Sequence, residues 1–228
     1  MDILTETVYW AVFISLGSYI IFTNLQNKMK CFLLNPLLFS TILTIIFLLV
    51  CKIDYEIYFE KIDFLYYLLT PATVCLAIPL YKQIEILKKN FKAIIIGIMA
   101  GVFSGLGSVL LLSILFGFSR IMYLSILPKS VTAAIAVEIS EEIGGISSLT
   151  IPVVIMTGIT GHILAEKICK IFRITEPIAK GIAIGSSSHI MGTAKAIEMG
   201  EIEGAMSSLA VTITGIITVI GVSFFSHL

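Results

Sequence analysis

The sequence predicts an all-α polytopic membrane protein: about five full spans plus two or three broken or re-entrant helices, arranged as inverted repeats. Three observations carry this. The 228 residues are 57% hydrophobic and 13% charged, with a mean hydropathy of +1.04, whereas soluble domains carry about 25% charged residues. Five uncharged runs exceed the ~18 residues that mark a transmembrane helix. The remaining apolar stretches are short or interrupted, and they resemble one another.

Acidic and basic residues balance at 15 each, so no global field points to nucleic acid. Cys31, Cys51, Cys75 and Cys169 form no C-x-x-C pair. Free thiols are expected, with no metal site and no cofactor. The N-terminus lacks the basic n-region of a cleaved signal, so the first apolar segment is expected to be retained. A single transmembrane domain is expected over residues 1–228.

Taken in order, runs 7–27 and 31–51 are long enough to span, and Tyr9 and Trp10 suit an interfacial belt. Stretch 64–81 is broken by Pro71 and Pro79. Segment 82–92 sets four lysines against Glu85, a cytoplasmic anchor beside anionic lipid. Run 93–119 carries Gly97, Gly101 and Gly105 in overlapping G-x-x-x-G patterns, which suit close helix packing or dimerisation. Stretch 121–137 is broken by Pro128 and Lys129, leaving only eight uncharged residues after the lysine. An acidic turn with Gly144 and Gly145 precedes run 143–165. Basic segment 166–180 follows, then the interrupted stretch 181–194, then run 204–228.

Two registers link these parts. One matches Pro71, Val74, Ala77, Ile78, Glu85 and Gly101 with Pro128, Val131, Ala134, Ile135, Glu142 and Gly158. The other matches Glu138, Glu141, Gly144, Ser147, Ser148 and Leu149 with Glu198, Glu201, Gly204, Ser207, Ser208 and Leu209. A broken hairpin followed by a full span is therefore repeated two or three times. If basic segments 82–92 and 166–180 share the cytoplasmic side, an even number of crossings separates them. Runs 93–119 and 143–165 supply two. Stretch 127–149 then enters and leaves by one side, and successive units are inverted, as in many transporters. Lys28 and Lys30 fall outside the cell in this scheme.

Broken helices at membrane depth are tolerated only against protein or a polar cavity, and so point to a binding site. Lys129 follows Pro128 at the expected N-terminus of a half-helix, with the N–H groups of Ser130, Val131 and Thr132 free to meet an anion. The alternative is a lysine that snorkels to headgroups or pairs with a glutamate. Ser187, Ser188, His189 and Thr193 form a second candidate wall: hydroxyls donate to a carboxylate, and an imidazole exchanges protons near neutral pH. Against this stands a plain helix contact of small residues with a bonded histidine. Thr73 matches Ser130 in the repeat and completes the candidate site. Glu138 and Glu198 are expected to end the two short helices and are candidates for a coupling proton, a role that suits a partly buried carboxylate. Helix termination or pairing with the basic segments is the alternative, and the expected role of Glu141, Glu142, Glu201 and Glu203.

LPKSVTAAIAVEISEEIGGISSLT, PIAKGIAIGSSSHIMGTAKAIEMGEIEGAMSSLA, NPLLFS and TPATVCLAIPLYKQIEILKKN resemble the LrgB/CidB family of bacterial membrane proteins, from about residue 7 to the C-terminus. The resemblance implies an antiholin-like modulator of murein hydrolase activity and autolysis in the cell membrane. The chain corresponds to the LrgB half only, so the resemblance also implies a separately encoded small LrgA/CidA-like partner. Members also look like carriers of small carboxylates: the plastid glycolate/glycerate translocator fuses both halves, and bacterial members are linked to pyruvate uptake.

Two functions are expected to compete. The first is a secondary carrier of a small monocarboxylate (pyruvate, lactate or glycolate), lying in the bilayer as a homo-oligomer. The second is a pore or regulatory component with no transport of its own. No nucleophile–base pair stands out, so no enzyme activity is expected.

Overall fold

The computed structural model describes residues 7, 9–29, 36–75 and 77–228, with the backbone alone at 64, 66, 69, 70 and 73. Every regular element among them is a helix. The chain packs as two units, Met1–Cys75 and Leu76–Leu228.

The first unit holds α1 (Tyr9–Met29), α2 (Pro36–Cys51), α3 (Tyr55–Tyr67) and α4 (Leu69–Cys75). Trp10 is buried, with the rings of Phe47 and Tyr58 at 6.3 and 6.1 Å. It therefore serves the unit's interior, while its expected interfacial companion Tyr9 is exposed. Ser15 and Tyr58 share a hydrogen bond of 2.7 Å.

The second unit holds α5 (Ala77–Lys82), α6 (Ile84–Phe116), α7 (Arg120–Ile126), α8 (Ala133–Glu142), α9 (Ser147–Ile171), α10 (Pro177–Met199) and α11 (Glu201–Phe225). Pro71 and Pro79 each stand third in a helix, where a missing N–H costs little. The breaks accordingly precede the prolines. Three helices, α6, α9 and α11, are long and apolar enough to cross a membrane, and α2 is a shorter apolar helix. They correspond to three of the five expected spans. Of the other two, α1 ends on Asn24, Gln26, Asn27 and Lys28, and α2 has only 16 residues. Residues 30–35, including Lys30, lie outside the described residues.

Helix bounds shift from expectation where charge does not stop a helix. The lysines of 82–92 are helical and form the last residue of α5 and the first turns of α6. At 33 residues, α6 is roughly 50 Å long and outreaches a hydrocarbon core of ~30 Å. Gly117 closes it at φ 63, and Ser119 Oγ accepts from Met122 N to begin α7. Similarly, α9 begins at Ser147, after Gly144 turns the chain at φ 86, and continues through Lys170.

Two helical hairpins lie against the spans. In the first, α7 and α8 run in opposite directions about residues 127–132. Its open end lies at the end of α11: the Arg120 guanidinium donates to the Ser226 carbonyl at 2.9 Å, and Tyr123 OH to that of Phe225 at 2.8 Å. Glu142, the far end of α8, lines a cavity there with Arg120, Ser226 and His227. Thr150 Oγ1 lies within hydrogen-bond distance of the Ser125 carbonyl (2.9 Å) and of Ser140 Oγ (2.7 Å), tying both arms to α9.

The second hairpin is α10, bent at Ser188 and His189. Its arms touch, with Ile184 packed on Ala196 and Gly192 against Ile184. Its open end lies at the start of α11, where Lys180 sits 3.7 Å from Glu203 and Gly204 abuts Ile197. The hairpins thus open at opposite ends of one spanning helix, the arrangement that inversion of the repeat predicts. Residues of α6, α7, α8, α9, α10 and α11 share the core around Met206 and Ala210.

Gly97, Gly101 and Gly105 of α6 face inward. A Cβ on Gly101 would lie 2.5 Å from Ser186 Oγ, and one on Gly105 3.5 Å from Ser130 Oγ. Close packing inside the unit accounts for this stripe.

Candidate functional site

Pro128 breaks the first hairpin because it lacks an N–H and its ring crowds the preceding turn. Lys129 N donates to the Ile126 carbonyl (3.0 Å) and Val131 N to that of Pro128 (3.3 Å), so these N–H groups are spent in the turn. The helix begins only after Thr132, whose carbonyl accepts from Ala136 N at 2.8 Å. The half-helix expected to start at Lys129 starts instead at Ala133, four residues later. The free N–H groups belong to the first turn of α8, and Lys129 stands in the turn before it. Leu127 and Pro128 are fully buried, while Lys129 is half-buried with its Nζ donating to Ser130 Oγ at 3.3 Å.

The second turn has neither proline nor glycine at its break. Ser188 lies at φ −133, ψ 15 and His189 at φ 45, ψ −146. A positive φ at a non-glycine residue costs about 1–3 kcal/mol and persists only where the surroundings over-determine it. They do so here. The His189 ring bonds the Val154 carbonyl through Nε2 at 3.0 Å, and Thr193 Oγ1 bonds the His189 carbonyl at 3.1 Å and Ser207 Oγ at 2.8 Å. Gly158 and Gly161 of α9 leave room for the His189 ring and for Ser188.

The two turns meet at one cavity of about 560 Å³ lined by Lys129, Ser187, Ser188, Thr157, Thr160 and aliphatic side chains of α9 and α10. The lining follows α9 from Val153 to Cys169 and includes Ile174. It therefore runs from the turns toward the basic segment 166–180. Lys129 is the charged residue on the wall, and among the described residues no carboxylate forms an ion pair with it. An ammonium group, serine and threonine hydroxyls and an otherwise apolar wall suit a small anion with one carboxylate.

Lys129, Ser187 and Ser188 come together in this cavity. Ser130 supports Lys129 and faces Gly105. Thr132 is the N-cap of α8 with no side-chain cap bond. His189 and Thr193 are buried behind the turn, bonded to protein rather than lining the cavity. The side chain of Thr73 lies outside the described residues. Glu138 does not end α8, which continues to Glu142, and it is exposed. Glu198 is near the end of α10 and bonds Lys195 at 2.9 Å. Glu203 pairs with Lys180 of the basic segment. Sequence reasoning missed Thr157 and Thr160. Their signal is two threonines one helical turn apart beside Gly158 and Gly161 in an apolar run.

The family model for the LrgB-like family matches residues 15–228, nearly the whole chain. No solved structure matches it.

Proposed function

We infer that the chain, which belongs to the LrgB-like family, carries small monocarboxylates of the pyruvate, lactate and glycolate class. The observation that carries this is Lys129, half-buried and without a carboxylate partner among the described residues, sharing a cavity with Ser187 and Ser188 of the opposite hairpin. Substrate contact by both halves of an inverted repeat is how many secondary carriers build a midplane site. With the positive-inside rule, the open end of the second hairpin faces the cytoplasm, so the cavity is open inward. The protein then crosses the cell membrane several times and works beside a small LrgA/CidA-like partner.

Family membership supports an antiholin-like regulator of murein hydrolase activity, which is the second reading. The two join if carboxylate flux alters membrane energetics and so autolysis. Uptake of labelled pyruvate by proteoliposomes, with and without the partner, tests the first. Lys129→Ala is expected to lower uptake at least about ten-fold, the worth of a charge-assisted hydrogen bond. Unchanged uptake removes Lys129 from the site. Lysis control that survives in a variant without transport favours the regulator alone.

A further inference from the structure

The turn of the second hairpin rests on one face of α9 at three successive positions. Val154, Gly158 and His162 recur every fourth residue and so share a face. The His189 ring reaches the Val154 carbonyl through Nε2 at 3.0 Å. From the other side, the His162 ring reaches the Met191 carbonyl through Nδ1 at 3.1 Å. A carbonyl only accepts, so Nε2 of His189 and Nδ1 of His162 both carry protons and donate. Between them Gly158 admits both chains: a Cβ there would lie 2.6 Å from His189 Cε1 and from Met191 Sδ. The two bonds run in opposite senses, one from the hairpin to α9 and one from α9 to the hairpin.

We propose that His162 and His189 are positioning residues. They fasten the second hairpin's turn to α9 and so set where the Ser187 and Ser188 hydroxyls stand relative to Lys129. Neither imidazole touches the carboxylate. Ser188 and His189 have backbone angles that no local sequence feature enforces, and tertiary bonds must supply the constraint. Loss of either bond frees the turn and misplaces both hydroxyls. The identity of the ligand rests on the carrier reading; the fastening does not.

Amide replacements test this atom by atom. Asparagine sets its amide near the place of Nδ1, and glutamine sets its amide near that of Nε2. His162→Asn and His189→Gln therefore keep the donor, whereas His162→Gln and His189→Asn keep an amide but move it. Two readouts are compared: KM and maximal rate of pyruvate uptake in proteoliposomes, and the rate at which a charged methanethiosulfonate reagent modifies Ser188→Cys in protein with its native cysteines replaced. The donor-moving variants are expected to raise KM about five-fold with little change in maximal rate, and to change the modification rate by a similar factor. The donor-keeping variants restore both.

Donor-keeping and donor-moving variants that behave alike overturn the proposal, as does a modification rate unaffected by all four. Protein that takes up no pyruvate but shows the modification pattern loses the carrier reading and keeps the fastening. Protein whose uptake depends on Lys129 but not on the histidine donors loses the fastening and keeps the carrier reading.

Discussion

Lys129 and His189 are equivalent residues, one at the turn of each hairpin. The register that pairs Glu138 with Glu198 and Ser147 with Ser207 also pairs these two, and it superimposes the only two interruptions between Arg120 and Glu142 and between Pro177 and Met199. The two copies have diverged at this position. One presents a cation to the cavity; the other turns its ring away to the Val154 carbonyl. On the proposed carrier reading one charge suffices for one carboxylate, which would leave His189 free to secure the turn.

The hairpins make a prediction about sidedness. Arg120 and Glu142 line one cavity at the end of α11, while Lys180 lies at the start of α11 and Glu198 near it in the paired arm. Cysteines placed at positions 120 and 142 should react with an impermeant reagent from one face of the membrane. Those at 180 and 198 should react from the other. Modification of 120 and 142 from opposite faces would make the first hairpin a crossing and end the inverted-repeat account.

Packing at the second turn is tight enough to be read by a single methyl group. A Cβ at Gly161 would overlap Ser188 Oγ and Cβ, whereas one at Gly107 meets nothing within 4 Å. Gly161→Ala should destabilise the protein by about 1–3 kcal/mol, the usual cost of overpacking, and should impair uptake because Ser188 must move. Gly107→Ala should be neutral or stabilising by up to ~1 kcal/mol, since alanine favours helix over glycine. Thermal unfolding in detergent compares them. Equal melting temperatures would contradict the close approach of α9 to Ser188.

Much of this was legible in the sequence, because prolines, glycines and charges are costly in an apolar helix and mark where it stops. The break at Pro128 and three of the five expected spans follow from them. Where the cause is tertiary, the signal vanishes. Ser188 and His189 are held off helical geometry by contacts from α9, and nothing local announces which bond bends. The start of α8 was misplaced because the turn after Pro128 takes three more residues before Thr132 can cap. Thr157 was silent for another reason: a threonine in an apolar helix usually bonds its own backbone, as this one does to the Val153 carbonyl at 2.8 Å.

Burial and distance rank two of the ion pairs in opposite order. Lys170 and Glu166 are 2.8 Å apart, yet their side chains are 75% and 48% exposed. Lys180 and Glu203 are 3.7 Å apart with side chains only 23% and 11% exposed. An exposed pair of the first kind is worth about 0.3–0.5 kcal/mol, so Lys170→Ala should scarcely alter thermal stability. Glu203 stands third in α11, where a carboxylate also meets the positive end of the helix. Its removal takes away two favourable interactions and leaves Lys180 facing that end, so Glu203→Gln should cost on the order of 1–3 kcal/mol. Lys180→Gln should cost less, because the helix end still favours the remaining carboxylate. The double substitution should cost less than the two single losses combined, as expected for a coupled pair. Strict additivity in detergent melting curves would show that Lys180 and Glu203 do not interact, and would remove the tie between the open end of the second hairpin and α11.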